Sequence, residues 1–117
     1  MKQNIIKDKS FDFAVRIVGL YKYLKDEKKE YILSKQILKS GTSIGANVEE
    51  ADGGISKAEF SNKISIAYKE AKETHYWLRL LKASDFITEK IFDSFINDID
   101  EIMKILFSIL KTTRINK

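Results

Sequence analysis

Apolar positions repeat at intervals of three and four along most of the chain, the period of an α-helix with one buried face. The first such segment predicts a helix from Phe11 to Lys25. Phe11, Val15 and Val18 form one row, and Ala14, Ile17, Tyr21 and Leu24 form a second beside it. Ser10 stands where an N-cap accepts from the free amides of the first turn. Lys25-Asp26-Glu27-Lys28 is a polar break, with Asp26 placed to cap a second helix. That helix is expected from Glu27 to Asp52, about 40 Å at 1.5 Å per residue. Leu33, Ile37, Ile44, Val48 and Ala51 share its inner face.

The middle of the second helix, Ser40 to Asn47, is rich in small residues and carries Gly41 and Gly45. Each glycine costs a helix about 1 kcal/mol relative to alanine. A loop is the alternative, but the apolar residues stay in phase across the stretch, which favours a helix that lets a neighbour approach closely. Gly53-Gly54 is expected to end it in the usual manner of helix C-termini.

Ser56-Lys57-Ala58-Glu59 reads as a capping box for a third helix. Phe60, Ile64, Ala67, Ala71, Thr74, Leu78 and Leu81 then alternate in fours and threes, a heptad seam. Ile66, Glu70, Glu73, Trp77 and Leu80 run alongside, and the helix fades at Ala83-Ser84-Asp85. Thr88 is placed to cap a fourth helix. Phe92, Phe95, Ile99, Ile102, Leu106 and Ile109 form its stripe, widened by Ile96, Met103, Phe107 and Leu110. Residues 1–9 and 113–117 are expected to fray. Short connections between four helices predict an all-α, antiparallel up-down-up-down four-helix bundle, with residues 1–117 as a single domain.

The totals narrow the function. A chain of 117 residues, 44% hydrophobic and 32% charged, suits one globular core. It lacks cysteine, which removes disulfides and thiolate chemistry, and it lacks proline, which suits long helices. The start, MKQNIIKDKS, is not a signal peptide, and no apolar run reaches the roughly 20 residues that span a bilayer. A cytoplasmic protein without a membrane role is the expectation. The net charge of +4 permits a nucleic-acid partner without demanding one.

Catalytic readings find little. A di-iron bundle site needs Glu-x-x-His on two helices, and the chain has one histidine, His75, preceded three positions earlier by Lys72. No metal and no cofactor is expected. Glu70 and Glu73 lie one turn apart and are able in principle to divide acid and base work, but pairing with a cation is the simpler role. Ser40 and Ser43 lack a base, and no phosphate loop is present. Ser43, Asn47 and Glu50 share a face of helix two, expected with Glu70 and Glu73 to form a polar layer that sets helix register; contact with a ligand is the alternative.

Residues 1–39 carry ten basic and five acidic groups, the tail adds Lys104, Lys111, Arg114 and Lys117, and the stretch between is acidic overall. Candidate nucleic-acid contacts are Lys35 and Lys39, one turn apart on helix two, Arg16 and Lys22 on helix one, and Lys111 and Arg114 near the C-terminus. Aromatics close to these charges read as core, which leaves no base-stacking platform. The apolar rows exceed the needs of one bundle interior. They predict an oligomer, with Tyr76 or Trp77 at the contact.

The run Lys39-Ser40-Gly41-Thr42-Ser43-Ile44-Gly45-Ala46-Asn47-Val48-Glu49-Glu50-Ala51 resembles the central motif of the small four-helix-bundle proteins encoded within intervening sequences of 23S ribosomal RNA genes. Ser56-Lys57-Ala58-Glu59-Phe60 and the segment from Ile66 to Leu81 continue the likeness, which covers roughly residues 10 to 110. The chain is also similar to the accessory protein of diversity-generating retroelements. The resemblance implies an antiparallel bundle assembled as a homopentamer, in contact with RNA or DNA. Many members carry two basic residues after the position of Gln36; here Leu38 fills one and Lys39 the other. The reading is a non-enzymatic homo-oligomer that binds RNA or another nucleic acid through basic residues. The alternative is a structural or protein–protein interaction module with no nucleic-acid role.

Overall fold

The computed structural model describes the backbone of residues 2–115 and the side chains of residues 4–113. Four helices succeed one another: α1 (Lys2–Asp26), α2 (Leu33–Asp52), α3 (Lys57–Ala83) and α4 (Glu89–Ile115). Cross-helix contacts fix their directions. Lys7 reaches Asp52 while Gly41 lies against Ile17, so α1 and α2 are antiparallel. Lys63 meets Glu50 while Thr74 meets Ser40, and His75 approaches Asp100 while Lys82 meets Glu89. The result is an up-down-up-down bundle of 46 × 21 × 19 Å. Packing is closest between sequence neighbours, and α1 meets α4 along a sparser seam.

The core is the sum of four inner rows. On α3 the heptad seam holds as expected: Ile64, Ala67, Ala71, Thr74, Leu78 and Leu81 are buried and Phe60 half-buried. On α4 Phe95, Ile99, Ile102, Leu106, Ile109 and Leu110 are buried, whereas Phe107 stays exposed. The glycine-rich stretch of α2 is helical, with Ile37, Ile44, Val48 and Ala51 buried through it. Its glycines permit the close approach expected of small residues. A Cβ at Gly41 would stand 2.8 Å from Ile17 Cγ1, and one at Gly45 would stand 3.3 Å from the Ser10 carbonyl oxygen.

Helix α1 departs most from expectation. It begins at Lys2 rather than Phe11, because the inner row starts at Ile6 and continues through Ser10, Phe13, Ile17, Leu20 and Leu24, all buried. The fraying expected of residues 1–9 is therefore not seen over the described part of that segment. Ser10 is not a cap; it lies inside the helix, with Oγ donating to the Lys7 carbonyl at 3.3 Å. The row Phe11, Val15 and Val18 faces outward, 65%, 58% and 37% exposed. At the other end Thr113 to Ile115 extend α4, and residues 1, 116 and 117 lie outside the described residues.

Helix α2 starts at Leu33, later than the expected Glu27. Glu30, not Asp26, serves its first amides: the carboxylate accepts from Leu33 N at 3.0 Å and from Ser34 N at 2.7 Å. This satisfies donors that have no partner inside the helix. At its C-terminus Gly53 adopts φ −89° rather than a left-handed angle, and the chain turns through Gly53 N to Glu50 O and Gly54 N to Ala51 O. Among the described residues the left-handed ones are Lys29 and Asp85. Asp85 sits just past α3, where Phe86 N bonds Leu81 O at 2.9 Å and Asp85 N bonds Lys82 O at 3.1 Å, the paired bonds of a Schellman turn. Ser56 and Thr88 cap α3 and α4 as the sequence suggests, each hydroxyl accepting from the amide three residues on.

Candidate functional site

The Ser40–Thr74 contact sets the level at which α2 and α3 meet. Both residues are fully buried, and their hydroxyls hydrogen-bond at 2.9 Å while Thr74 Oγ1 also lies 2.8 Å from the Glu70 carbonyl. This is the buried polar link between the two helices, and it differs from the expected layer. Ser43 and Asn47 are half-buried and bond within α2, Ser43 Oγ to Lys39 O at 2.6 Å and Asn47 Nδ2 to Ser43 O at 2.9 Å. Glu50 is exposed and pairs with Lys63 at 2.8 Å, and Glu73 accepts from Trp77 Nε1 at 3.2 Å. The five residues therefore line the outside of the α2–α3 junction without forming a shared network. Spacing alone did not separate Ser40, turned inward, from Ser43, turned outward.

Glu70 lies at this junction, half-buried. Burial pushes its pKa above the ordinary 4.5, Glu73 adds to the rise, and Lys39 and Lys69 pull against it. Lys39 is thus the cation of α2 that faces Glu70, while Lys35 lies one turn away on the exposed side. Neither has a carboxylate within 4.0 Å among the described residues, and the same holds for Lys22 and Lys111.

Arg16 is held differently. Its guanidinium pairs with Asp98, donates to Ser94 Oγ at 2.6 Å, and stands 4.1 Å over the Phe95 ring. Lys9 pairs with Glu101 at 2.6 Å beside it. These bonds close the α1–α4 seam and leave Arg16 committed to the protein. Lys111 is exposed near the opposite end of the bundle from Lys22 and Lys35, so the candidate cations do not form one patch. The Arg114 side chain, with those of Lys2 and Lys117, lies outside the described residues.

Segment totals hid another set of charges. Lys69, Lys72, Tyr76 and Arg79 succeed one another at intervals of three, four and three on α3, and all four are exposed, opposite the buried seam. Tyr76 packs edge-on against the half-buried Trp77, with centroids 5.1 Å apart, and Arg79 stands 5.6 Å over the Tyr76 ring. Arg79 Nε donates to His75 Nδ1 at 3.2 Å, and His75 Nε2 is 3.5 Å from Asp100. A helical-wheel count of cations alone would have found this row. No helix among the described residues is long and apolar enough to cross a membrane.

Comparison with known proteins places this geometry among relatives. The family model described as 23S rRNA-intervening sequence protein matches residues 2–108. A crystal structure from Bacteroides thetaiotaomicron VPI-5482, described as a protein of unknown function from the S23 ribosomal protein family, is 58% identical. The match covers 95% of this chain and 99% of that one, with a TM-score of 0.94. A comparison with curated proteins finds no match.

Proposed function

The chain belongs to the 23S rRNA-intervening sequence protein family, and on that premise we propose that it is a cytoplasmic, non-enzymatic bundle that assembles into a homopentamer and holds RNA or DNA on exposed basic residues. The observation that carries the assembly is the outward row Phe11, Val15 and Val18 on α1. A helix whose inner row already fills the core gains nothing within the monomer from a second apolar row. Such a row is costly in water and favours burial against another surface. The proposal puts the self-contact on this row, beside the expected contact at Tyr76 or Trp77, because Phe11 and Val15 are more exposed than Tyr76.

The basic half of the proposal is supported by Lys35 and Lys39, exposed on α2 without carboxylate partners at bonding distance. In a ring each cation is repeated, and each phosphate neutralised steepens the salt dependence of binding. Light scattering should give about five times the 13.5 kDa of the chain, and Val15→Glu should return it to monomer. Wild-type protein at the monomer mass would refute assembly. A labelled RNA should be retained at low salt and released steeply as salt rises, and Lys35→Glu with Lys39→Glu should abolish retention. Wild-type protein that binds no RNA at low salt would leave the protein-interaction module as the reading.

A further inference from the structure

We propose that the outer face of α3 is a single-strand binding site, in which Lys69, Lys72 and Arg79 take phosphates and Tyr76 takes a base. The inference rests on the nucleic-acid reading above and names a surface for it. From Lys69 to Arg79 the row rises ten residue steps, about 15 Å along the helix. Its cations lack a carboxylate partner, although Arg79 donates to His75 Nδ1 and stands over the Tyr76 ring. Lys7, Lys9, Arg16, Lys63 and Lys82 each have a carboxylate within 4.0 Å, whereas Lys69, Lys72 and Arg79 have none among the described residues. Acids flank the row: Glu70, on which Lys69 acts, and Glu73, bonded by Trp77, and on the other side Asp100 beside His75.

Tyr76 gives the row its chemistry. It is 49% exposed, and the Trp77 edge and Arg79 hold its ring in place. An exposed, held aromatic between cations is the arrangement that proteins use to stack bases while gripping the backbone. A base inside a duplex is already stacked on its neighbours and does not reach such a ring, so single strands are preferred. An acidic protein partner would use the cations but has no need of a half-exposed aromatic ring among them.

The test uses the whole protein with a fluorescein-labelled 12-nucleotide oligouridylate and a labelled RNA duplex of equal length, read by anisotropy across a salt series. The oligouridylate should bind more tightly than the duplex. Tyr76→Ala should weaken it about tenfold, and Tyr76→Phe should restore binding because the stacking face returns. Lys69→Gln with Lys72→Gln and Arg79→Gln should reduce the slope of log affinity against log salt by about 2, from the removal of three phosphate contacts at roughly 0.7 each. Helicity and light-scattering mass should be unchanged in every variant. If these variants bind as wild type while the Lys35/Lys39 double variant does not, the α3 site is overturned and the broader reading survives. If they change the assembly mass, the face is a subunit contact and the site is overturned. Wild-type protein that binds neither probe removes both readings.

Discussion

Gly45→Leu probes the close approach of α1 and α2 most directly. At this position a Cβ would stand 3.3 Å from the Ser10 carbonyl oxygen and 3.4 Å from its carbonyl carbon. Both are backbone atoms inside α1, so relief requires the helix to move rather than a side chain to turn. Gly45→Ala sets two effects against each other: about 1 kcal/mol of helix propensity gained and the strain of a methyl group pressed against the α1 backbone. The net change should lie near zero. Leucine keeps the propensity gain and aims three further carbons into α1. Overpacking of this kind costs about 1–3 kcal/mol, and a backbone neighbour puts Gly45 at the upper end of that range. At about 4 °C per kcal/mol for a domain of this size, the melting temperature should fall by roughly 8–12 °C. Gly19→Ala is the control, because nothing lies within 4 Å of its Cβ position and the propensity gain should appear alone. Thermal melts followed by circular dichroism measure all three. If Gly45→Leu melts within 2 °C or so of wild type, the close-packing argument is wrong.

Thr74→Val should cost about 1–3 kcal/mol by removing the 2.9 Å partner of the buried Ser40 hydroxyl, which keeps only its 3.5 Å bond to the Ile37 carbonyl, and Ser40→Ala with Thr74→Val should cost less than the two singles combined; additive urea-denaturation energies would refute the coupling. Asp85→Gly should stabilise the protein by up to about 1 kcal/mol, since φ 64° favours glycine; a lower melting temperature would count against this account of the turn. The raised pKa of Glu70 means that ionisation is harder in the folded chain than in the unfolded one. Its effect is therefore absent below the unfolded value near 4.5 and becomes a loss of stability as pH rises through the higher folded value. Glu70→Gln should accordingly raise the melting temperature at pH 7 and leave it unchanged at pH 3.5; equal shifts at the two values would rule the titration out.

The parts of the fold legible in sequence were those with a single apolar row. The α3 seam from Ile64 to Leu81 is read directly from its spacing, and the α2 register survives two glycines because Ile37, Ile44 and Val48 stay in phase. Helix α1 carries two rows, and the brighter one misleads. Phe11, Val15 and Val18 are more apolar than the true inner row, which includes Ser10 and begins among the charges around Ile6. The start of α2 was obscure because Glu30 caps from outside the helix. The candidate cations were legible as residues but not as partners: Arg16 is bound to Asp98 on a helix some eighty residues away. The α3 row was hidden because charges were summed by segment, which mixes Lys69, Lys72 and Arg79 with acids that the helix turns to other faces.

The sparse α1–α4 seam has a consequence for how the chain comes together in time. Each of the other interfaces joins consecutive helices across a short connection, so its two halves meet early and at small entropic cost. Only the seam of Phe13 on Phe95, with Arg16 on Asp98, brings the first helix to the last. During synthesis α1, α2 and α3 can pair before α4 is made, and α4 then closes the bundle. A topology this local belongs to fast folders. The rate-limiting barrier should be crossed with α2 and α3 already packed and the seam unformed. Phe13→Leu should therefore speed unfolding and leave the refolding rate nearly unchanged, whereas Ala71→Gly, in the α2–α3 interface, should slow refolding. Stopped-flow chevrons in which Phe13→Leu slows folding instead would reverse that order.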